Sequence, residues 1–333
     1  MSVKKRILEI AVFLLVMFLT FYTLFSGKNL GEIAHALTKM SFWHLLLAAA
    51  LALFFVCAEG YMIWYLLQAM KANRVKTEGC SLGRCVQYSF IGFFYSGITP
   101  SATGGQPVQL YYMSKDGNRG SDSTVVLMTV AVVYKFVLVI LGAGILICWH
   151  SPLQMELGKF FPLYLFGLFL NVILVVIITG VMLFPNIMLR CALFFEKLLV
   201  RMRILKRSDQ RAGKIHEFIG SYQKAVEWLR MHKGKLLFVI FVTFLQRCSV
   251  FLLTYMVYLG FGLHGTAMMK VILLQAAVYI AVDMLPLPGA QGITELMYQT
   301  VFAHVFTGAY LIPSMLVSRG INFYFLLIVS LGV

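Results

Sequence analysis

The chain has 333 residues, 60% of them hydrophobic and only 12% charged. A soluble domain carries about 25% charged residues, so a water-soluble globular fold is excluded. The net charge is +15, from 28 Lys and Arg against 13 Asp and Glu; in so apolar a chain this excess marks position relative to a bilayer, and no nucleic-acid partner is expected.

The length accommodates about eight spans of roughly 20 residues with their loops, so residues 1–333 read as one transmembrane domain without a soluble enzyme domain. The apolar runs are 7–25, 43–67, 82–98, 123–149, 160–184, 236–260, 267–285 and 310–333. The first follows Lys4, Lys5 and Arg6 as in a signal peptide, but it exceeds the roughly 7–15 residues of a secretory apolar region and lacks a clear cleavage site. It is expected to stay as the first helix. Segment 185–235 is the long polar interruption, with 12 basic residues against four acids and interspersed apolar residues such as Leu193, Phe194, Leu198 and Phe218. This composition predicts a cytosolic connector of amphipathic helices lying on the anionic inner leaflet. The cysteines Cys57, Cys80, Cys85, Cys148, Cys191 and Cys248 form no CxxC pair and no metal spacing with histidine. No metal, disulfide framework or other cofactor is expected.

Positive-inside topology places residues 4–6, 68–84 and 185–235 in the cytosol. If 82–98 crossed fully, Lys115, Arg119 and the 12-cation segment would fall outside. A hairpin over 82–113 that enters from the cytosol and returns removes the conflict and puts 21 of the 28 cations inside. Its turn reads Thr-Pro-Ser-Ala-Thr-Gly-Gly-Gln-Pro over 99–107, which a helix cannot continue through comfortably. An ordinary extramembrane loop would have the same composition. Irregular backbone at membrane depth requires a cavity or a protein lining, so this turn is a candidate site. Residues 285–292, Leu-Pro-Leu-Pro-Gly-Ala-Gln-Gly, interrupt a second apolar stretch. The two breaks align without gaps, with Pro100 on Pro286, Gln109 on Glu295 and Tyr112 on Tyr298. A second hairpin over 267–305 would enter from outside, as in the inverted repeat of a transporter. The expected fold is therefore an all-α polytopic integral membrane protein with about six full transmembrane helices, two re-entrant hairpins and an inverted repeat.

Six ionisable residues lie within apolar spans: Glu59, Lys135, Arg247, Asp283, Glu295 and Arg319. Each mid-membrane charge costs roughly 2.5–3.5 kcal/mol, on the order of 15–20 kcal/mol for six left unpaired. Three cations against three anions allow full neutralisation. Salt bridges that only orient helices would account for them; so would a polar cavity at mid-membrane, walled by the two hairpin tips. Pro107 suits the first turn of a half-helix after Gly104, Gly105 and Gln106, and Gly289 to Gly292 precede another near Ile293. Each would aim free N–H groups at the cavity, favouring an anion such as phosphate, while Glu59, Asp283 and Glu295 could accept an amine or carry a proton.

At these residues the sequence resembles a known family. FFYSGITPSATGGQPVQLYYM (93–113), PLPGAQGITE (286–295) and SRGINFYFLLIVSLG (318–332) are similar to the lysylphosphatidylglycerol synthase transmembrane-region family, the flippase-like domain of the multiple peptide resistance factor and its stand-alone relatives. The resemblance implies re-entrant helices and lipid translocation between leaflets of a bacterial-type cytoplasmic membrane, with a phospholipid, such as lysyl-phosphatidylglycerol, as ligand. It carries over Pro100, Gly104, Gly105, Gln106, Pro107, Gly289, Gly292, Glu295 and Arg319. Lys135 and Arg247 rest on burial of charge alone. The lysyl-transferring cytosolic domain of fused members has no counterpart in the sequence, so no aminoacyltransferase activity is expected. An intramembrane headgroup enzyme and a non-transporting partner of a lipid synthase remain alternatives, as does a homodimer. No Ser/His/Asp or HExxH pattern supports the enzyme, and no GxxxxGK[ST] motif supplies ATP coupling.

Overall fold

The computed structural model describes residues 30–71, 80–99, 102–184, 189–190, 194, 209–306 and 308–333. The predicted first helix, 7–25, lies outside them. The regular structure of the described residues is entirely helical. In chain order α1 is Leu30–Thr38, α2 Phe42–Lys71, α3 Leu82–Ile98, α4 Gly105–Lys115, α5 Gly120–Cys148, α6 His150–Leu157 and α7 Phe161–Leu183. There follow α8 Asp209–Met231, α9 Lys233–Gly260, α10 Met268–Val282, α11 Ile293–Val301, α12 Leu311–Arg319 and α13 Leu326–Leu331. A π-helical turn, Gly320–Phe325, joins the last two.

Among the described residues, five stretches are long and apolar enough to cross a membrane: Phe42–Met70, Gly120–Cys148, His150–Leu183, Lys233–Gly260 and Leu311–Leu331. Each coincides with an apolar run of the sequence. Their outer faces are greasy. On α7, Phe166, Phe169, Val176 and Ile177 are exposed, a surface suited to lipid rather than water.

The helices beside the two breaks are short. At 1.5 Å per residue, the 17 residues of α3 reach about 26 Å and the 11 of α4 about 17 Å. The 15 of α10 reach about 23 Å and the 9 of α11 about 14 Å. All four fall below the roughly 30 Å of a hydrocarbon core. In each case the two helices around the break pack on each other. For α3 and α4 the approach is so close that a Cβ on Gly105 would lie 2.1 Å from Ser96 Oγ and 2.6 Å from the Gly92 carbonyl oxygen. Around the second break Gly289 and Gly292 hold φ values of +58° and +84°, a region glycine adopts without strain.

The gap-free alignment of the breaks extends well beyond them. The shift that carries Pro100 onto Pro286 also carries Leu82, the start of α3, onto Met268, the start of α10. It carries Lys115, the end of α4, onto Val301, the end of α11. With the same shift α2 overlaps α9, and α5 overlaps α12 and α13. The packing follows suit. α2 packs on α5 as α9 packs on α12, and α3 lies against α13 as α10 lies against α5. A span, a broken pair and a second span thus occur twice, and the two units meet along α2 and α9.

One expectation changes. In the described part of the connector, α8 turns its apolar stripe toward protein. Ile219, Tyr222, Val226 and Leu229 recur at helical spacing and are buried, and α8 packs on α5. The Tyr222 hydroxyl donates to the Met182 carbonyl at 3.4 Å. The stripe is matched by apolar residues of α5 and the end of α7, which cover it in place of a leaflet. Lys224 and Arg230 on its other side are exposed.

Candidate functional site

Where the two units meet lies a cavity of about 460 Å³, walled by α2, α3, α4, α5, α7, α9, α10 and α11, the breaks and the last span. Glu59, Gln106, Lys135, Arg247, Asp283, Gly289 and Arg319 line it, so the structure gathers seven of the residues singled out in the sequence. Gly104, Gly105 and Pro107 lie behind its wall. The first two close the turn and Pro107 stands in the first turn of α4, as its fixed φ favours. Pro100 lies outside the described residues. Thr99 organises the turn; its hydroxyl accepts from the Gly104 N–H at 2.9 Å and donates to the Tyr95 carbonyl at 2.6 Å.

The intramembrane charges are arranged in three polar ties. Lys135 on α5 donates to Asp283 Oδ2 just past α10, forming an ion pair that links the two repeated units. The other oxygen, Oδ1, accepts from the Tyr134 hydroxyl at 2.7 Å, and Tyr134 and Tyr279 share a hydroxyl contact of 2.9 Å. Arg319, at the end of α12, donates to Glu295 Oε1 at 2.8 Å and to the Gly289 carbonyl at 2.9 Å. Glu295 Oε2 in turn accepts from the Gly292 N–H at 2.7 Å. In the first unit, Gln109 of α4 donates to Glu59 Oε1 of α2 at 2.8 Å. Gln109 and Glu295 occupy equivalent places under the repeat, and each ties its broken pair to a neighbouring span.

Two expectations are corrected by this geometry. The six charges do not neutralise fully: four form two ion pairs, while Glu59 and Arg247 form none among the described residues. The cause is placement. Glu59 meets the Gln109 amide, whereas Arg247, on α9, is inserted among aromatic rings. Second, the N-terminus of α11 does not offer all its N–H groups to the cavity. Glu295 folds back on its own first turn and accepts from Gly292. Neither Glu295 nor Gly292 lines the cavity. Glu295 is thereby a local cap and an anchor for Arg319 rather than an open acceptor for an amine.

Arg247 is 1% exposed, yet it lines the cavity. Its guanidinium carbon lies 4.4 Å from the ring centroid of Phe55, 4.1 Å from Tyr134 and 5.9 Å from Tyr279. Its Nη1 makes a long hydrogen bond of 3.4 Å to the Tyr279 hydroxyl, and its Nε has no partner among the described residues. A buried charge left uncompensated costs about 3–5 kcal/mol. Cation–π contacts return on the order of 0.5–2 kcal/mol each, so the rings offset part of that.

Sequence reasoning missed Tyr134, Tyr279 and Phe55. Tyr279 was within reach: it precedes Asp283 by four residues and shares its helix face. Tyr134 and Phe55 carry no comparable mark, because aromatic residues are common in apolar spans.

Away from the cavity, Arg84 and Asp116 clasp the far ends of α3 and α4 at 2.6 Å, and the Tyr88 hydroxyl also donates to Asp116 at 2.6 Å. Arg84, and after it Tyr88, hold the Asp116 carboxyl below the usual carboxylate range.

No curated protein matches the chain. A family model, described as the lysylphosphatidylglycerol synthase TM region, matches residues 6–330. That span takes in both repeated units, the cavity and the charges between them, and the chain therefore belongs to this family of membrane domains.

Proposed function

We propose that the protein carries lipid headgroups between the leaflets of a cytoplasmic membrane and does so as a transporter, not an enzyme. The observation that carries this reading is the charged cavity at the meeting of two broken helix pairs, in the middle of apolar spans. Helices too short to cross support two re-entrant hairpins. The charge distribution, with residues 4–6 and 185–235 in the cytosol, orients α2 and α9 oppositely, so the two units form an inverted repeat. A phospholipid, an aminoacylated one such as lysyl-phosphatidylglycerol included, would place its headgroup in the cavity and keep its acyl chains among the spans. Rocking of the units would expose the cavity to one leaflet and then the other. The exposed basic side of α8 would rest near anionic headgroups of the inner leaflet.

The test is reconstitution into vesicles with acyl-labelled fluorescent phospholipids and bleaching of the outer leaflet. The wild-type chain is expected to make the inner pool accessible, and Arg319→Ala, which breaks the tie to Glu295 and the Gly289 carbonyl that holds the second broken pair, to slow this by about tenfold or more. Wild-type rates equal to those of protein-free vesicles would overturn the proposal.

A further inference from the structure

We infer that Arg247 receives the phosphate of the headgroup, and that the cavity reads a lipid by its phosphate and not by an amine. This deepens the proposed transport and rests on it. The cations facing the cavity differ in what they have left to offer. Lys135 is paired with Asp283 and touches Met284 Sδ at 3.1 Å. Arg319 is paired with Glu295 and bound to the Gly289 carbonyl. Arg247 faces no carboxylate within ion-pair distance among the described residues. Among the described residues its five N–H donors make one long bond, to Tyr279, and the buried Nε has no partner there. Phe55 and Tyr134 lie against the guanidinium but supply it with no anionic acceptor. A planar fork with vacant donors matches the paired oxygens of a phosphate diester.

The carboxylates point the other way. Both oxygens of Asp283 and both of Glu295 are engaged, and Glu59 already takes the Gln109 amide on one oxygen. An incoming ammonium therefore finds little, while an incoming phosphate finds a guanidinium with one long hydrogen bond and no ion pair among the described residues. Amine-bearing and amine-free phospholipids are expected to be carried alike, and phosphate-free lipids poorly.

The experiment uses the full chain with three lipids: phosphatidylglycerol, phosphatidylethanolamine and a neutral diglucosyl-diacylglycerol. Translocation is read in vesicles with acyl-labelled forms. Binding is read in detergent by the thermal shift that short-chain forms produce, with inorganic phosphate as a fourth probe. The two phospholipids should agree within about threefold, and the glycolipid should bind about tenfold to a hundredfold more weakly, the worth of charge-assisted hydrogen bonds. Arg247→Gln should erase the preference. Arg247→Lys, which keeps the charge without the fork, should weaken phospholipid binding yet retain the order. Equal handling of glycolipid and phospholipid by the wild-type chain would overturn the inference while leaving transport intact. So would a preference of about tenfold or more for the amine-bearing lipid, or an unchanged preference in Arg247→Gln. A shift with inorganic phosphate but none with short-chain phospholipid would overturn the lipid as its source. Arg247-dependent phospholipid binding without translocation of any lipid would uphold the inference and sink the transport reading instead.

Discussion

Lys135 and Asp283 form the ion pair that joins the two repeated units, and their side chains are 12% and 8% exposed. Replacing Asp283 with Leu removes the acceptor of Lys135 and of the Tyr134 hydroxyl together. A lysine left buried without its partner costs about 3–5 kcal/mol. Lys135→Met should cost a similar amount by stranding the carboxylate. The double variant removes both charges and substitutes apolar side chains of comparable size, a change that is often neutral or stabilising for a buried pair. The single losses should therefore not add, and the coupling energy should reach at least about 2 kcal/mol. Helix loss followed by circular dichroism during denaturant titration in mixed micelles measures all four corners of the cycle. Additive losses, with a double variant as weak as the sum of the singles, would refute the claim that these two groups neutralise one another.

Two further outcomes follow from the first broken pair. Gly105→Ala sets a Cβ against the Gly92 carbonyl, which is backbone and cannot swing aside, so α4 must move off α3 at a cost of about 1–3 kcal/mol; an unchanged unfolding midpoint would contradict the close approach. The Asp116 carboxyl is held below its unfolded value of about 3.9, so its clasp with Arg84 stabilises fully above that value and is lost as pH falls through the folded one. Asp116→Asn should lower stability by no more than about 1 kcal/mol at neutral pH, because the pair is partly exposed, and the difference from wild type should vanish in strong acid. A difference that persists there would show that the clasp does not act through its charge.

The positions of the apolar helices were legible in the sequence because hydropathy is a local property. A run such as 82–98 becomes α3 with the same bounds, since its apolar residues leave the backbone no water to bond and a helix satisfies it internally. The breaks were legible for the same reason: Gly289 and Gly292 supply backbone angles that other residues avoid. The alignment of Pro100 on Pro286 was a thin match of side chains, but the helix bounds and packing on either side repeat with it. The face of α8 was less legible. An amphipathic helix has the same pattern whether lipid or protein covers it, and only the position of α5 distinguishes the two.

By itself, the sequence determined which runs are apolar enough to lie in a bilayer, where its helices break, and that six charges must be accommodated among apolar spans. The tertiary structure alone decided which of those charges meet. Lys135 and Asp283 are 148 residues apart and Glu59 and Gln109 are 50 apart, and no local pattern encodes such pairings. Electrostatic compensation depends on distances of a few ångströms across helices, whereas hydropathy reports only composition along one. For that reason three cations that all lay within apolar runs of the sequence became two locked in ion pairs and one, Arg247, that makes a single long hydrogen bond among the described residues.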